Sequence, residues 1–314
     1  MFLIILALLG LLILFYCLGL LADSVVKNSS DVASEFGLPL PLIGLILGLL
    51  TTLPELSLGL SALKNDVPAM SAGNLLGGVF IILSLVLAIN LFINREVKTD
   101  GRWWSLVPLF CYLLLPLILG IDGDFGYTDS LLFIFGYFLW LIFSYFSYSH
   151  GFKFSLVAVS KKKLSRQVLF IVAGVLGILI TSGWIVSLTL FVLETYSIKP
   201  FLVGILLFAI GTNLPELSIA WGSKKHSAGT LSFSHLSGSA GANVLCLGLL
   251  GLSGSLTLNA GGGWAFFAYS GLLVLLLLFL LWFYRSDKKL SRLEGFVLLF
   301  FYILFALSQF FLVG

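Results

Sequence analysis

The sequence predicts an all-α membrane protein in which ten transmembrane helices form two five-helix repeats of inverted topology. Three observations lead to it: the hydrophobicity, the distribution of the basic residues, and a duplicated phrase. Of the 314 residues, 60% are hydrophobic and 10% are charged, whereas soluble proteins average about 25% charged residues. The apolar runs continue for about 20 residues, which is the length of a membrane-spanning helix and unlike the alternating segments of a β-barrel.

Ten apolar stretches account for the predicted spans. They cover residues 1–21, 38–63, 69–93, 104–121, 128–148, 168–193, 200–223, 229–255, 262–284 and 293–313. The first lacks a basic start and a cleavage site, so we interpret it as a retained span and not as a signal peptide. The domain organisation that follows is a first repeat over 1–148, a cytoplasmic linker over 149–167 and a second repeat over 168–314.

The basic residues indicate how the chain crosses the membrane. Of the 17 Lys and Arg residues, the even-numbered connections between spans hold only Lys64 and Lys199. Cytoplasmic connections are enriched in Lys and Arg. We therefore expect the odd-numbered connections in the cytoplasm and, because the number of spans is even, both termini outside.

A seven-residue phrase occurs once in each half of the chain. Residues 51–57 and 212–218 differ only at Thr52 and Asn213, and each places a proline and a glutamate within an apolar run. A charged residue at the centre of a membrane helix costs roughly 3 kcal/mol, so such residues usually have a function. Five spans separate the two phrases, which inverts the second copy and predicts one site near the midplane where the repeats meet.

The repetition extends beyond the phrases. Gly44 and Gly204 precede them, and Gly77 and Gly238 each follow 22 residues after the glutamate. From the upstream glycine to the proline the distance is ten residues in the first copy and eleven in the second. We expect a local bulge or slip before the first phrase to absorb this difference.

The phrases supply the chemistry of a cation site. Pro54 and Pro215 lack an amide hydrogen, which frees the carbonyl groups of Leu50 and Gly211 from the helical ladder. The oxygen-bearing side chains of the same turns are Thr51, Thr52, Glu55, Thr212, Asn213 and Glu216. Glu55 and Glu216 are the predicted metal-binding acids. Oxygen ligands suit Ca²⁺, and Na⁺ is similar in size. The phrases offer no thiolate and no histidine pair, which disfavours zinc and copper.

A third helix in each half is expected to complete the site. It contains Gly73–Gly78 in the first half and Ser234–Asn243 in the second. Ser239 and Asn243 lie four residues apart, hence on one helical face. The glycines permit close helix approach, and packing alone would also explain them. His235 is either a helix–helix hydrogen-bonding residue or a proton-sensitive group near the path.

These motifs resemble those of the sodium/calcium exchanger family within the cation/calcium exchanger superfamily, whose repeats carry a phrase like G-T-S-x-P-E followed by G-N-x-x-G-S-N-x-x-[N/D]. The resemblance covers residues 20–90 and 182–250 and indicates a divergent prokaryotic-type member in an inner or plasma membrane. It implies cation ligands at Thr51, Thr52, Glu55, Thr212, Asn213, Glu216, Ser239 and Asn243. It also implies transported Ca²⁺, Na⁺ or H⁺ and no cofactor, with small cations and the lipid bilayer as partners.

The departures from the family pattern fall mainly in the first half. Asn213 replaces the family serine, Leu50 replaces a glycine, and Gly78 replaces a serine. Ile82 replaces the polar Asn or Asp that would match Asn243, and His235 replaces the Asn that would match Asn74. A Na⁺/Ca²⁺ antiporter working by alternating access is the leading expectation. H⁺-coupled Ca²⁺ or other cation exchange, and a non-transporting scaffold or sensor, stay open. The sequence holds no nucleophile–base pair or phosphate loop, so neither an enzyme nor nucleic-acid binding is expected, and no protein partner is evident.

Overall fold

A computed structural model describes residues 2–35, 48–99, 103–148, 161–217, 229–258, 263–286 and 289–313. Within these residues, eight helical stretches are long and apolar enough to cross a membrane: Ile5–Ser29, Pro68–Asn94, Trp103–Asp122, Tyr127–Ser144, Leu164–Tyr196, Pro200–Leu217, Gly263–Arg285 and Arg292–Leu312. The chain is therefore a helical membrane protein, as predicted. Of the two remaining predicted spans, 38–63 is described only from residue 48 and 229–255 contains the helix Gly229–Gly251. The count of ten stays a prediction.

In chain order the helices are α1 (Phe2–Glu35), α2 (Leu53–Lys64), α3 (Pro68–Ile81), α4 (Leu87–Asn94), α5 (Val107–Leu119), α6 (Tyr127–Tyr148), α7 (Lys161–Tyr196), α8 (Pro200–Leu202), α9 (Ala209–Thr212), α10 (Gly229–Gly251), α11 (Gly263–Ser286) and α12 (Arg292–Val313). The strands are β1 (Glu96–Lys98), β2 (Asp124–Phe125), β3 (Leu256–Thr257) and β4 (Lys289–Ser291). A π-helical segment, Ile82–Val86, joins α3 to α4, and another, Val203–Phe208, joins α8 to α9. Short 3-10 turns lie at Trp103–Ser105 and Gly120–Asp122.

The first helix of each half is longer than predicted. Helix α1 has 34 residues and α7 has 36, so each is about 50 Å long and exceeds the roughly 30 Å hydrocarbon core. The predicted first span ended at residue 21, and the predicted linker 149–167 is partly helical because α7 begins at Lys161. Residues 149–160 lie outside the described part of the chain. Apolarity marks only the part of a helix within lipid, so it underestimates both helices.

Helices α1 and α7 pack against each other in opposite directions. A Cβ atom placed on Gly10 would lie 3.0 Å from the side chain of Leu188, and one on Gly177 would lie 2.9 Å from Leu21. Residue numbers thus rise along one helix as they fall along the other. An antiparallel pair is the arrangement that inverted repeats require of their first helices.

Two short ladders tie the connections together. Strand β1 pairs with β4 and β2 pairs with β3, both antiparallel, and Lys289 Nζ lies 3.0 Å from a Glu96 carboxylate oxygen beside the first ladder. The first ladder joins the third and ninth predicted connections, and the second joins the fourth and eighth. Connections of equal parity therefore lie together, as the charge pattern predicts.

The buried apolar side chains form two separate clusters. The larger one contains residues of α3–α6 and α10–α12. The smaller one joins α1 and α7 to α2, α3 and the second π segment through Leu11, Phe15, Leu18, Ala22, Val25, Leu58, Ala62, Met70, Ile178, Ile185, Val186, Leu193 and Phe208. The α1–α7 pair is thus a flanking unit that touches the helices carrying the two phrases.

Candidate functional site

Both phrases interrupt their helices at the same position. Residue Thr52 has φ −85° and ψ 3°, and Asn213 has φ −87° and ψ 12°. In each copy the carbonyl of this residue accepts a bond from the amide four residues on, at 3.0 Å for Leu56 and 3.2 Å for Leu217. Pro54 lies in the first turn of α2. The duplicated sequence therefore produces a duplicated backbone geometry.

A π segment, Val203–Phe208, lies upstream of the second phrase. A single π turn holds one residue more than an α turn and often marks a functional site. The slip was predicted before the first phrase, where residues 36–47 lie outside the described part of the chain. The slip before the first phrase therefore stays a prediction.

The structure brings the predicted site residues of both halves together. Glu55 and Glu216 are 0% and 1% exposed, and the predicted threonine, serine and asparagine residues are buried as well. The charges of the two carboxyl groups interact. Thr212 lies beside the Glu55 carboxyl group, and Thr51 lies beside that of Glu216. Each glutamate of one repeat therefore meets a threonine of the other.

Polar contacts surround the Glu216 carboxyl group and join the two halves of the chain. The hydroxyl of Ser239 donates to a Glu216 carboxylate oxygen at 2.9 Å, and Thr51 Oγ1 lies 3.4 Å from Ser239 Oγ. A second contact between the two halves joins Thr212 Oγ1 and Asn74 Oδ1, which lie 3.4 Å apart. Asn74 was not a predicted ligand. Its signal in the sequence was its place in the Gly73–Gly78 motif, where it corresponds to His235.

Several buried oxygens at the site have no hydrogen-bond partner. They are both carboxylate oxygens of Glu55, Oε2 of Glu216, and Oδ1 of Asn213 and of Asn243. Leaving a buried polar group unsatisfied costs about 1–3 kcal/mol, and more when it is charged. The amide nitrogens of Asn74 and Asn243 are unpaired as well. The unpaired oxygens are the atoms that a bound cation would satisfy.

The threonine hydroxyls of the phrases donate within their own helical turns, Thr51 to Gly48 and Thr212 to Phe208, both at 3.0 Å. Thr52 Oγ1 donates to the carbonyl oxygen of Leu49 at 2.7 Å, and Asn213 Nδ2 donates to that of Ala209 at 2.7 Å. Both side chains thereby keep their oxygen lone pairs free. The amide of Asn213 is held with its Oδ1 unpaired, as a ligand oxygen would need to be.

Gly77 and Gly238, which the sequence places in the repeated motif, do not interrupt their helices. Both lie inside continuous helices, α3 and α10. A Cβ on Gly77 would lie 2.8 Å from the Cβ of Ala209, and one on Gly48 would lie 2.7 Å from the carbonyl carbon of Gly238. These glycines allow helices of opposite repeats to cross in close contact.

Gly78 and Asn243 share one space. A Cβ on Gly78 would lie 2.6 Å from Asn243 Nδ2, so the amide of Asn243 fills the place that a serine would take. Ile82 is fully buried and begins the first π segment, and it offers no oxygen. At these positions α3 and the π segment that follows it contribute only packing, whereas α10 contributes the polar side chain of Asn243.

This shared space gives a testable coupling. We expect Gly78→Ala to destabilise the protein by about 1–3 kcal/mol, because the new methyl group overlaps Asn243. With Asn243→Ala the space is vacated, so the same methyl group should have little effect and the two changes should couple by about 1–2 kcal/mol. Thermal unfolding in detergent measures it, with Gly183→Ala as the control because nothing lies within 4 Å of a Cβ there. Additive effects would contradict the shared space.

Two polar groups near the site have no assigned role. The Nε2 atom of His235 and the hydroxyl of Ser237 are buried without a hydrogen-bond partner, and whether His235 is sensitive to protons stays a prediction. Asp23 was missed altogether, because the predicted first span ended two residues before it. It lies within the span of α1, and its charge acts on Glu216.

No group of three or more His, Cys, Asp or Glu side chains suited to hold a metal ion occurs in the described ranges. The candidate site has two acidic side chains, Glu55 and Glu216. Its acceptors are two carboxylates joined by neutral side-chain oxygens, a donor set that suits hard cations such as Ca²⁺ and Na⁺.

Comparison with known proteins identifies relatives over both halves. The family model described as sodium/calcium exchanger protein matches residues 6–146 and 166–311. A membrane protein of Methanocaldococcus jannaschii, described as uncharacterized, is 24% identical over 302 residues, which are 95% of this chain and 94% of that protein. Among solved structures, the sodium-calcium exchanger NCX_Mj has a TM-score of 0.69 at 22% identity, covering 95% of this chain and 97% of that one. The H⁺/Ca²⁺ exchanger CAX has a TM-score of 0.75 at 18% identity, covering 97% and 86%.

Proposed function

We propose that this chain, which belongs to the sodium/calcium exchanger protein family, exchanges Na⁺ for Ca²⁺ by alternating access at a site near the membrane midplane. The observation that carries the proposal is the meeting of Glu55 and Glu216, one from each repeat, among buried oxygens that lack hydrogen-bond donors. The proposed ligands are Thr51, Thr52, Glu55, Thr212, Asn213, Glu216, Ser239 and Asn243. The chain is a transporter and not an enzyme.

The charge of the site favours exchange over one-way transport. Two carboxylates neutralise one Ca²⁺ or two Na⁺. An empty site would carry two uncompensated charges through lipid, which is costly. The site therefore crosses between its outward-open and inward-open forms only when cations occupy it, and cations moving in opposite directions become coupled.

The proposed architecture has ten spans with both termini outside, in the inner or plasma membrane of a prokaryote. Residues 1–148 and 168–314 are the two repeats. The α1–α7 pair is the proposed moving unit, because its buried side chains lie in the smaller cluster, which reaches the rest of the bundle through α2, Met70 and Phe208. Its sliding would open the site first to one side and then to the other.

H⁺-coupled Ca²⁺ exchange, or exchange of another cation, is the second candidate. Gly78 and Ile82 supply no side-chain oxygen, which leaves fewer ligands for additional Na⁺ ions. His235 adds a buried titratable side chain whose Nε2 atom has no hydrogen-bond partner. A non-transporting scaffold is disfavoured, because two buried carboxylates without function would only destabilise the membrane-embedded state.

Ion flux in proteoliposomes tests the proposal. We expect an outward Na⁺ gradient to drive ⁴⁵Ca²⁺ uptake and a sodium ionophore to abolish it. Uptake that needs a pH gradient and persists without Na⁺ would favour the second candidate. Absence of uptake under every gradient, together with absence of Ca²⁺ binding in a calorimetric titration, would rule out both.

A further inference from the structure

Asp23 lies on the face of α1 that packs against the second phrase. Phe15 packs against Gly211 and Phe208, with the two phenyl rings 5.7 Å apart and edge-to-face. One turn later, a Cβ on Gly19 would lie 3.5 Å from Leu214 Cβ. The contacts advance along both segments in the same direction.

The same row of α1 continues to Asp23. Residues four apart share a helical face, so Asp23 follows Phe15 and Gly19. Helical side chains lean toward the N-terminus of their own helix. The Asp23 carboxyl group therefore leans back toward the turn that holds Glu216, in agreement with the electrostatic interaction between the two acids.

Along α1, Asp23 lies between the level of the Glu55–Glu216 site and one membrane surface. It is the only acidic residue of the span Ile5–Ser29, and it is half-buried, while Lys27 one turn later is exposed. The two lie about 6 Å apart along the helix axis. A lone acid within a span is expensive and usually functional.

Glu216 supplies the second, independent observation. It is buried, and its Oε2 atom has no hydrogen-bond partner while Oε1 is bound by Ser239. A carboxylate oxygen that is free of donors can receive a cation. Two acids on adjacent turns of packed helices thus give consecutive positions for a positive charge.

We propose that Asp23 is a third carboxylate on the cation route, holding the ion between the Glu55–Glu216 site and the membrane side of the odd-numbered connections. The inference rests on the proposed antiport. Asp23 acts on approach and departure from that side, and it is not a ligand of the ion bound at the midplane. Its removal therefore weakens Ca²⁺ uptake chiefly from that side of the membrane.

The test compares ⁴⁵Ca²⁺ uptake in right-side-out and everted vesicles, driven by whichever gradient supports uptake by the unmodified protein. For Asp23→Asn we expect the half-saturating Ca²⁺ concentration to rise about tenfold, equivalent to roughly 1.4 kcal/mol, when Ca²⁺ is added on the side of the odd-numbered connections. From the opposite side it should stay within about twofold, because the approach charge there is unchanged. Asp23→Glu should restore the original value.

The matched control is Asp31→Asn, the same change of charge two turns farther along α1 at an exposed position, which should leave both sides unaltered. Equal shifts on both sides would mean that Asp23 acts only through the affinity of the midplane site, and would overturn the proposal. So would unchanged uptake, or a loss of thermal stability with slower uptake from both sides, which indicates a structural role. Absence of uptake by the unmodified protein would instead overturn the antiport on which the proposal rests.

Discussion

Replacing either Glu55 or Glu216 by glutamine is expected to abolish exchange without unfolding the protein. Each substitution removes one of the two charges that neutralise the cation while keeping the shape of the side chain. Truncating one partner of a buried charge pair costs about 2–5 kcal/mol, so Ca²⁺ binding should weaken by roughly 100-fold or more. Folding should not suffer, because a neutral amide is cheaper to bury than an unpaired carboxylate.

Three measurements decide this prediction: ⁴⁵Ca²⁺ uptake in vesicles, Ca²⁺ binding by calorimetry, and thermal unfolding in detergent. Glu194→Gln is the matched control, because Glu194 is an exposed acid on α7. It should match the unmodified protein in all three. Normal uptake by Glu55→Gln or Glu216→Gln would refute the two-carboxylate site.

The two variants differ in one respect that the hydrogen bonds determine. Ser239 donates to Glu216, whereas neither carboxylate oxygen of Glu55 has a donor within hydrogen-bonding distance and angle. The glutamine carbonyl in Glu216→Gln can still accept that bond. In Glu55→Gln the amide hydrogens enter a region of acceptors, where they can pair with neighbouring oxygens and so stabilise the protein further.

The site could be predicted from sequence to the extent that its chemistry is local. The phrases around Glu55 and Glu216 can be recognised in the sequence, because acids and prolines are rare inside apolar runs and because the same phrase occurs twice. The inverted arrangement followed from the charges of the connections, and the antiparallel packing of α1 on α7 agrees with it.

What escaped prediction depends on contacts between distant segments. Asp23 lies past the point where apolarity ends, so only the continuation of α1 and its packing on the second phrase give it a place near Glu216. That Asn243 fills the space left by Gly78 is likewise a contact across the repeats. The π segment upstream of the second phrase was not predicted either.

Close packing of the two repeats gives the second large effect: Gly77→Ala should prevent the site from assembling. A methyl group there would overlap the carbonyl oxygen of Ile205 and lie 2.8 Å from Ala209 Cβ. Overpacking costs about 1–3 kcal/mol, and the upper end is expected because backbone atoms cannot rotate away as the Asn243 amide can. Separating α3 from α9 would also move Thr212 away from Glu55, so ⁴⁵Ca²⁺ uptake should be lost.

Gly271→Ala is the contrasting variant, because nothing lies within 4 Å of a Cβ at that position in α11. Alanine is favoured over glycine in a helix by about 1 kcal/mol, so this variant should unfold at the same or a higher temperature. The same chemical change thus has opposite signs at the two positions. If Gly77→Ala unfolds no lower than Gly271→Ala and keeps its uptake, the contact between α3 and the helix of the second phrase is not what holds the two carboxylates together.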